Sequence, residues 1–398
     1  MKVPRRSNGW LLAAGLSACT PSAPVPTAPV AAPPVAASQV PALPVAVAGP
    51  DMAEPAPYVP LDFARLDVHT HIQPGAMPRA KALMAKHGTR WFVNLSGGAI
   101  GDGLEQELAE AKAVGNVTVF CNPAFEEIAK GPGYGQRIAK GIAAAYKAGA
   151  RGVKIYKGLG LGIPDAAGNP IRVDDPGLDP LFEMAGKLHM PVAIHTGDPK
   201  AFWKPPTPDN ERYDELSAHP RWSFYGFPLS WEQLYAGFER RVARHPKTVF
   251  IGVHFGNDPE DPARVAQMLD AHKNLYIDLA ARIPEIGRTD ANHDPKRMRA
   301  FFEKYQDRIL WGTDTGVGTE PDSLMFGSTG REPQTEKDEQ RFFDGCFRWL
   351  ETEDRNIPTP TPIQGRWNVD GIGLSRPILE KVYWKNGAKL LGIPDPAP

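Results

Sequence analysis

His69 and His71 stand one residue apart in the run Leu66-Asp67-Val68-His69-Thr70-His71-Ile72, and their spacing is the first chemical signal in the chain. The run is apolar, carries a β-branched residue between the histidines, and stops at the turn signal Gln73-Pro74-Gly75, so it reads as a buried strand. Side chains two apart on a strand share a face, so both imidazoles project together as half of a metal site. Three later strand-like runs also end on metal-capable residues, at His195, His254 and Asp314. Four imidazoles and one carboxylate form an N/O donor set suited to a divalent transition metal. His87, His189, His219, His245, His272 and His293 fall in helices or loops and read as surface or structural.

Eight apolar runs can position these groups: Leu66–Ile72, Arg90–Leu95, Val117–Asn122, Gly152–Tyr156, Pro191–Thr196, Val249–Phe255, Leu275–Leu279 and Ile309–Asp314. Between them lie amphipathic stretches, among them Leu104–Ala113, Gln136–Ala148, Pro180–Leu188, Trp231–His245, Pro262–Ala271 and Lys296–Tyr305. Alternating strands and helices, with strands apolar on both faces, argue a parallel sheet covered on both sides. Eight repeats suit an α/β fold of the (β/α)8 TIM-barrel type, whose chemistry sits where the strands end. A doubly wound open sheet is the second choice, and no G-x-G-x-x-G follows the first strand to support it.

The chain has 398 residues, with 45 Lys and Arg against 46 Asp and Glu. A net charge of -1 offers no electrostatic footing for nucleic acid or an anionic membrane surface. Cys19, Cys121 and Cys346 form no C-x-x-C pair, so neither a cysteine zinc site nor a disulfide framework is indicated.

Lys2, Arg5 and Arg6 precede the short apolar run Trp10–Leu16, the pattern of a secretory signal peptide over residues 1–18. Residues 19–60 are rich in Pro and Ala and nearly uncharged, which suits a disordered, extended tether reaching on the order of 100 Å. The catalytic domain is then expected over 61–398.

The ending Leu16-Ser17-Ala18-Cys19 resembles the bacterial lipobox, which implies cleavage before Cys19 and lipidation of its sulfur. A plain exported protein, soluble in the periplasm, is the alternative. His69-x-His71 after the first strand, His195 after the fifth, His254 after the sixth and Asp314 after the eighth resemble the amidohydrolase superfamily. The Trp311-Gly312-Thr313-Asp314 ending and the closing Val382–Gly392 are similar to its amidohydrolase-related branch, which contains both hydrolases and decarboxylases of the aminocarboxymuconate semialdehyde decarboxylase type. The resemblance implies one divalent metal held by His69, His71, His195 and Asp314, most simply Zn²⁺, with Mn²⁺ and Fe²⁺ as alternatives. Asp314 would also take a proton from water, and His254 would orient that water or act as general acid/base.

Lys154 lies mid-strand among apolar neighbours, and alternation puts it with Tyr156 on the face opposite Val153 and Ile155, pointing into the barrel. It either binds a substrate carboxylate, pairs with a carboxylate such as Asp314, or bridges two metals in carboxylated form as in binuclear superfamily members. Arg282, just past the seventh strand, is placed either for an anionic substrate group or for a structural carboxylate. Two long segments are expected to shape the pocket: Pro199–Pro228 either as a lid or with its aromatics as a satellite core beneath the loop, and Thr315–Gly373 by capping the same face. The expected activity is hydrolysis of a C–N or C–O bond in a small molecule, with non-oxidative decarboxylation second and an inactive solute- or metal-binding lipoprotein third. The expected partner is that small molecule, with no nucleic acid, membrane contact through the lipid only, and a homodimer left open.

Overall fold

The computed structural model describes residues 58–396 except Asp198. The export segment, Cys19 and nearly all of the tether lie outside the described residues.

Every expected strand forms: β1 (Arg65–Ile72), β2 (Thr89–Asn94), β3 (Val117–Cys121), β4 (Gly152–Ile155), β5 (Val192–Ile194), β6 (Phe250–Gly252), β7 (Leu275–Asp278) and β8 (Ile309–Leu310). Each pairs in parallel with the next in chain order. Two backbone hydrogen bonds return the end of β8 to β1. The Val68 N–H donates to the Trp311 carbonyl at 3.0 Å, and the Asp314 N–H donates to the His69 carbonyl at 2.8 Å. Sequential parallel strands that come back onto the first are consistent with the (β/α)8 barrel.

The helices begin where local chemistry favours it. Trp231–Arg244 opens on a capping box, Ser230 with Gln233, and Asp261 and Asp294 cap Pro262–Ala271 and Pro295–Tyr305. The two faces of the sheet separate as alternation requires. Val153, Ile155, Val192 and Ile194 join the large apolar core with Leu181, Phe182 and Phe238. Ala193, the register partner of Lys154, belongs instead to a smaller cluster with Val93, Phe120, Ile251 and Leu310.

The segment from Thr315 onward is not simply a lid. Residues Thr315–Val317 form β9, which pairs in parallel with Thr70–Ile72, and Leu324–Phe326 form β10, antiparallel on β9. The helix Glu336–Glu351 buries Phe342, Phe343, Cys346, Phe347, Trp349 and Leu350 in the core. Its apolar stripe at helical spacing makes it a structural layer. The loop Pro199–Pro228 packs much of its aromatic content on itself, with Trp203 on Phe224 (4.8 Å between centroids) and His219 stacked on Trp222 (3.8 Å). Cys121 and Cys346 are buried free thiols. Among the described residues no helix is long and apolar enough to cross a membrane.

Candidate metal centre

β1 delivers both histidines to one point. The Nε2 atoms of His69 and His71 are 3.3 Å apart, and the Asp314 Oδ1 lies 3.4 Å from the first and 3.2 Å from the second. All three side chains are buried, and one ligand atom from each falls within 4.8 Å of the others. Burial and then Lys154 hold the His69 imidazole well below its ordinary pKa, so it stays neutral near pH 7 with a lone pair to offer. Burial pushes the Asp314 carboxyl up, but His69, His71 and Lys154 outweigh it and keep the group ionised. Two imidazoles and a carboxylate converging in a buried site fit a divalent cation of the zinc, manganese or iron class.

The outward nitrogens are anchored as metal-ligating histidines require. His69 Nδ1 lies 2.8 Å from Asp278 Oδ2, and His71 Nδ1 lies 2.8 Å from Ser96 Oγ. His254 Nδ1 meets the Ala280 carbonyl at 2.9 Å. A carbonyl only accepts, so His254 carries its proton on Nδ1 and keeps Nε2 as the basic nitrogen.

The backbone around the centre is strained. His254, Phe255, Ala281 and Asp314 all have φ between 54° and 62°, the left-handed region that side chains other than glycine rarely adopt. The strand expected over Val249–Phe255 therefore stops at Gly252, and the chain turns through His254 and Phe255. Asp278 Oδ1 accepts from the His254 N–H at 2.8 Å and from the Ala280 N–H at 3.2 Å, which fixes that turn. β8 likewise ends at Leu310, and Asp314 reaches the site through a left-handed residue rather than from within a strand. Asp67 braces it from below, accepting from the His69 N–H (3.0 Å), the Thr313 N–H (3.2 Å) and the Thr313 hydroxyl (2.6 Å).

The other expected residues gather nearby. The His195 and His254 rings are 4.4 Å apart, and His69 and His254 are 5.0 Å apart. His195 stands beside the trio of converging ligand atoms and is not one of its members. Lys154 points inward as alternation requires, with Nζ 3.4 Å from His69 Nε2, and burial lowers its pKa to about 8 against the pull of Asp278 and Asp314. Arg282 is buried, gives Nη1 to the Ala281 carbonyl at 2.8 Å, and has Nε 3.9 Å from Glu285. Its charge, after burial and His195, helps to depress the His254 pKa.

Asp278 and Ser96 were not anticipated. Asp278 ends a strand run, the same signal that singled out His254 and Asp314, and could have been found by it. Ser96 sits just past β2 with nothing local to mark it.

Three solved structures are similar to this chain. The 2,6-dihydroxybenzoate decarboxylase from Rhizobium is 13% identical, with a TM-score of 0.48, over 83% of this chain and 99% of that one. A dihydroxybenzoic acid decarboxylase from Polaromonas sp. JS666, with bound manganese and 2-nitroresorcinol, is 12% identical, with a TM-score of 0.48, over 83% and 97%. The dihydroorotase from Campylobacter jejuni is 12% identical, with a TM-score of 0.46, over 84% of each chain. Among curated proteins none matches the chain. The Amidohydrolase family model (Amidohydro_2) matches residues 66–393, a span that opens within β1 and takes in every ligand candidate, and the chain belongs to that family.

Proposed function

We propose that this chain is an exported, metal-dependent hydrolase that cleaves a C–N or C–O bond in a small anionic substrate. The observation that carries the reading is the ionised Asp314 carboxylate, 3.2–3.4 Å from two imidazole nitrogens that converge beside it. His69, His71 and Asp314 would hold the divalent ion, with His195 completing the set. When bound, that ion polarises the scissile carbonyl and acidifies water. Asp314 takes the proton of the attacking water, the carbon–heteroatom bond breaks, and the proton passes to the leaving nitrogen or oxygen. His254 orients the water through Nε2, its ring held by the Ala280 carbonyl. Lys154 and Arg282 supply positive charge for a substrate carboxylate.

That pair of buried cations also favours a second reading, loss of CO2 from a carboxylated substrate. The two part on the product. A screen of amides, lactones and aromatic carboxylates against zinc- or manganese-loaded protein should give ring opening or amine release, abolished in Asp314→Asn. Release of CO2 with no hydrolytic product would replace the first reading with the second.

Export rests on the Lys2-to-Leu16 pattern and lipidation on Cys19. Labelled palmitate should enter the wild-type chain and not Cys19→Ala. Equal labelling of both would remove the anchor from the proposal.

A further inference from the structure

We infer that Asp278 is a positioning residue that sets two of the histidines around the centre, His69 through its tautomer and His254 through its backbone. This rests on the metal reading above for its consequence but not for its geometry. Asp278 is fully buried at the end of β7, and each of its carboxylate oxygens has a separate task. Oδ2 faces His69 Nδ1 at 2.8 Å. Oδ1 takes the His254 and Ala280 N–H groups at 2.8 and 3.2 Å.

Oδ1 already accepts from two backbone N–H groups, and with Oδ2 likewise acting as an acceptor the His69 nitrogen facing it carries the ring proton. Nε2 is then the unprotonated nitrogen, and it is Nε2 that meets His71 and Asp314. The other tautomer would aim an N–H at the point where a metal must sit. On the opposite oxygen, two N–H bonds offset the cost of the left-handed His254, whose φ and ψ are both 54°. One carboxylate thereby ties β1, the turn after β6 and the end of β7 into a single geometry.

The two tasks separate in a single substitution. In Asp278→Asn the amide oxygen still accepts from His254 and Ala280, while the amide NH2 turns towards His69 Nδ1. Nδ1 must then accept, and the proton moves to Nε2. Flipping the amide instead would set its NH2 against two backbone N–H donors. Asp278→Asn is therefore expected to keep the turn and lose the ligand, whereas Asp278→Ala loses both.

The test measures zinc affinity of the full chain by competition with a chromophoric chelator, alongside circular dichroism and the melting of the metal-free protein. Asp278→Asn should keep the wild-type spectrum and bind zinc 10–100-fold more weakly. Asp278→Ala should lower both affinity and melting temperature. Long-range proton–nitrogen correlation on histidine-labelled, metal-free wild type needs no folded variant, and should show His69 protonated on Nδ1, its signal assigned by loss in His69→Gln. Zinc affinity of Asp278→Asn within threefold of wild type, or a His69 proton on Nε2, would overturn the inference. Wild type that takes up no zinc would overturn the metal reading, and the tautomer measurement would still decide this one.

Discussion

His71 Nδ1 lies 2.8 Å from Ser96 Oγ, and that oxygen lies 3.0 Å from the Tyr156 hydroxyl, so a ligand from β1 is steered by residues after β2 and β4. Tyr156 in turn donates to the Leu95 carbonyl at 3.2 Å, which leaves Ser96 free to accept from His71 while donating to Tyr156. Ser96→Ala should weaken zinc binding about tenfold through the freed imidazole, with metal-free stability lowered by no more than about 1 kcal/mol. Chelator competition and urea unfolding measure the two, and an unchanged zinc affinity would count against the role given to Ser96.

Behind Arg282 runs a buried alternation of charge. Glu285 touches Arg212 and has Arg282 within 3.9 Å, while Arg212 Nη1 reaches Glu215 Oε2 at 2.8 Å. Arg212 and Glu215 belong to the loop Pro199–Pro228, and all four groups are buried. Removing one partner leaves the others uncompensated, so Glu285→Gln should cost on the order of 3–5 kcal/mol in urea unfolding. The loop should also become a site of early proteolytic nicking. Pairing Arg212→Met with Glu285→Leu should recover only part of the loss, because Glu215 and Arg282 then lose these buried counterparts.

Glu107 titrates in the neutral range. Burial, and then Glu110, raises its carboxyl to about 7, although Asn94 Nδ2 donates to it at 2.8 Å. A carboxyl raised above its unfolded value stabilises the fold fully at low pH, and that share is lost as pH climbs from about 4.5 through 7. Glu107→Gln keeps the Asn94 bond and has no charge to bury. Its stability relative to wild type should therefore rise between pH 5 and pH 8, by about 1–3 kcal/mol. Denaturant midpoints at both pH values check it, and a pH-independent difference would contradict the assignment.

Gly312 is required by closure of the sheet. A Cβ there would stand 3.0 Å from the Cβ of His69 and 3.4 Å from that of Asp278. Gly312→Ala should cost about 1–3 kcal/mol by overpacking and, by pushing on His69, should weaken zinc more than a similarly destabilising change far from the centre. Thermal melts with and without zinc separate the two effects.

The sequence carried much of this on local rules. Strand period two predicted that His69 and His71 share a face and that Lys154 points inward, and the Lys154–His69 distance of 3.4 Å agrees. Alternating strands and helices predicted eight parallel strands in chain order, as found. Both are periodic properties of the backbone, written within a few residues, so a linear reading reaches them. Local rules reach no further: apolar Val253 and Phe255 suit a strand where the chain in fact turns left-handed at His254, and the helix Glu336–Glu351 lies within a stretch whose length and position suit a pocket cap.

Tertiary structure alone decided how far the ligands converge. Asp278 and His69 are 209 residues apart, yet the orientation of one imidazole depends on the other's carboxylate. β8 contributes only two residues, and Asp314 arrives through hydrogen bonds to β1 and a strained φ that no propensity favours. Side-chain type and local period say which groups can bind a metal. Which nitrogen faces it is set by partners that meet only when the last strand returns to the first, because hydrogen-bond direction belongs to the pair and not to either residue.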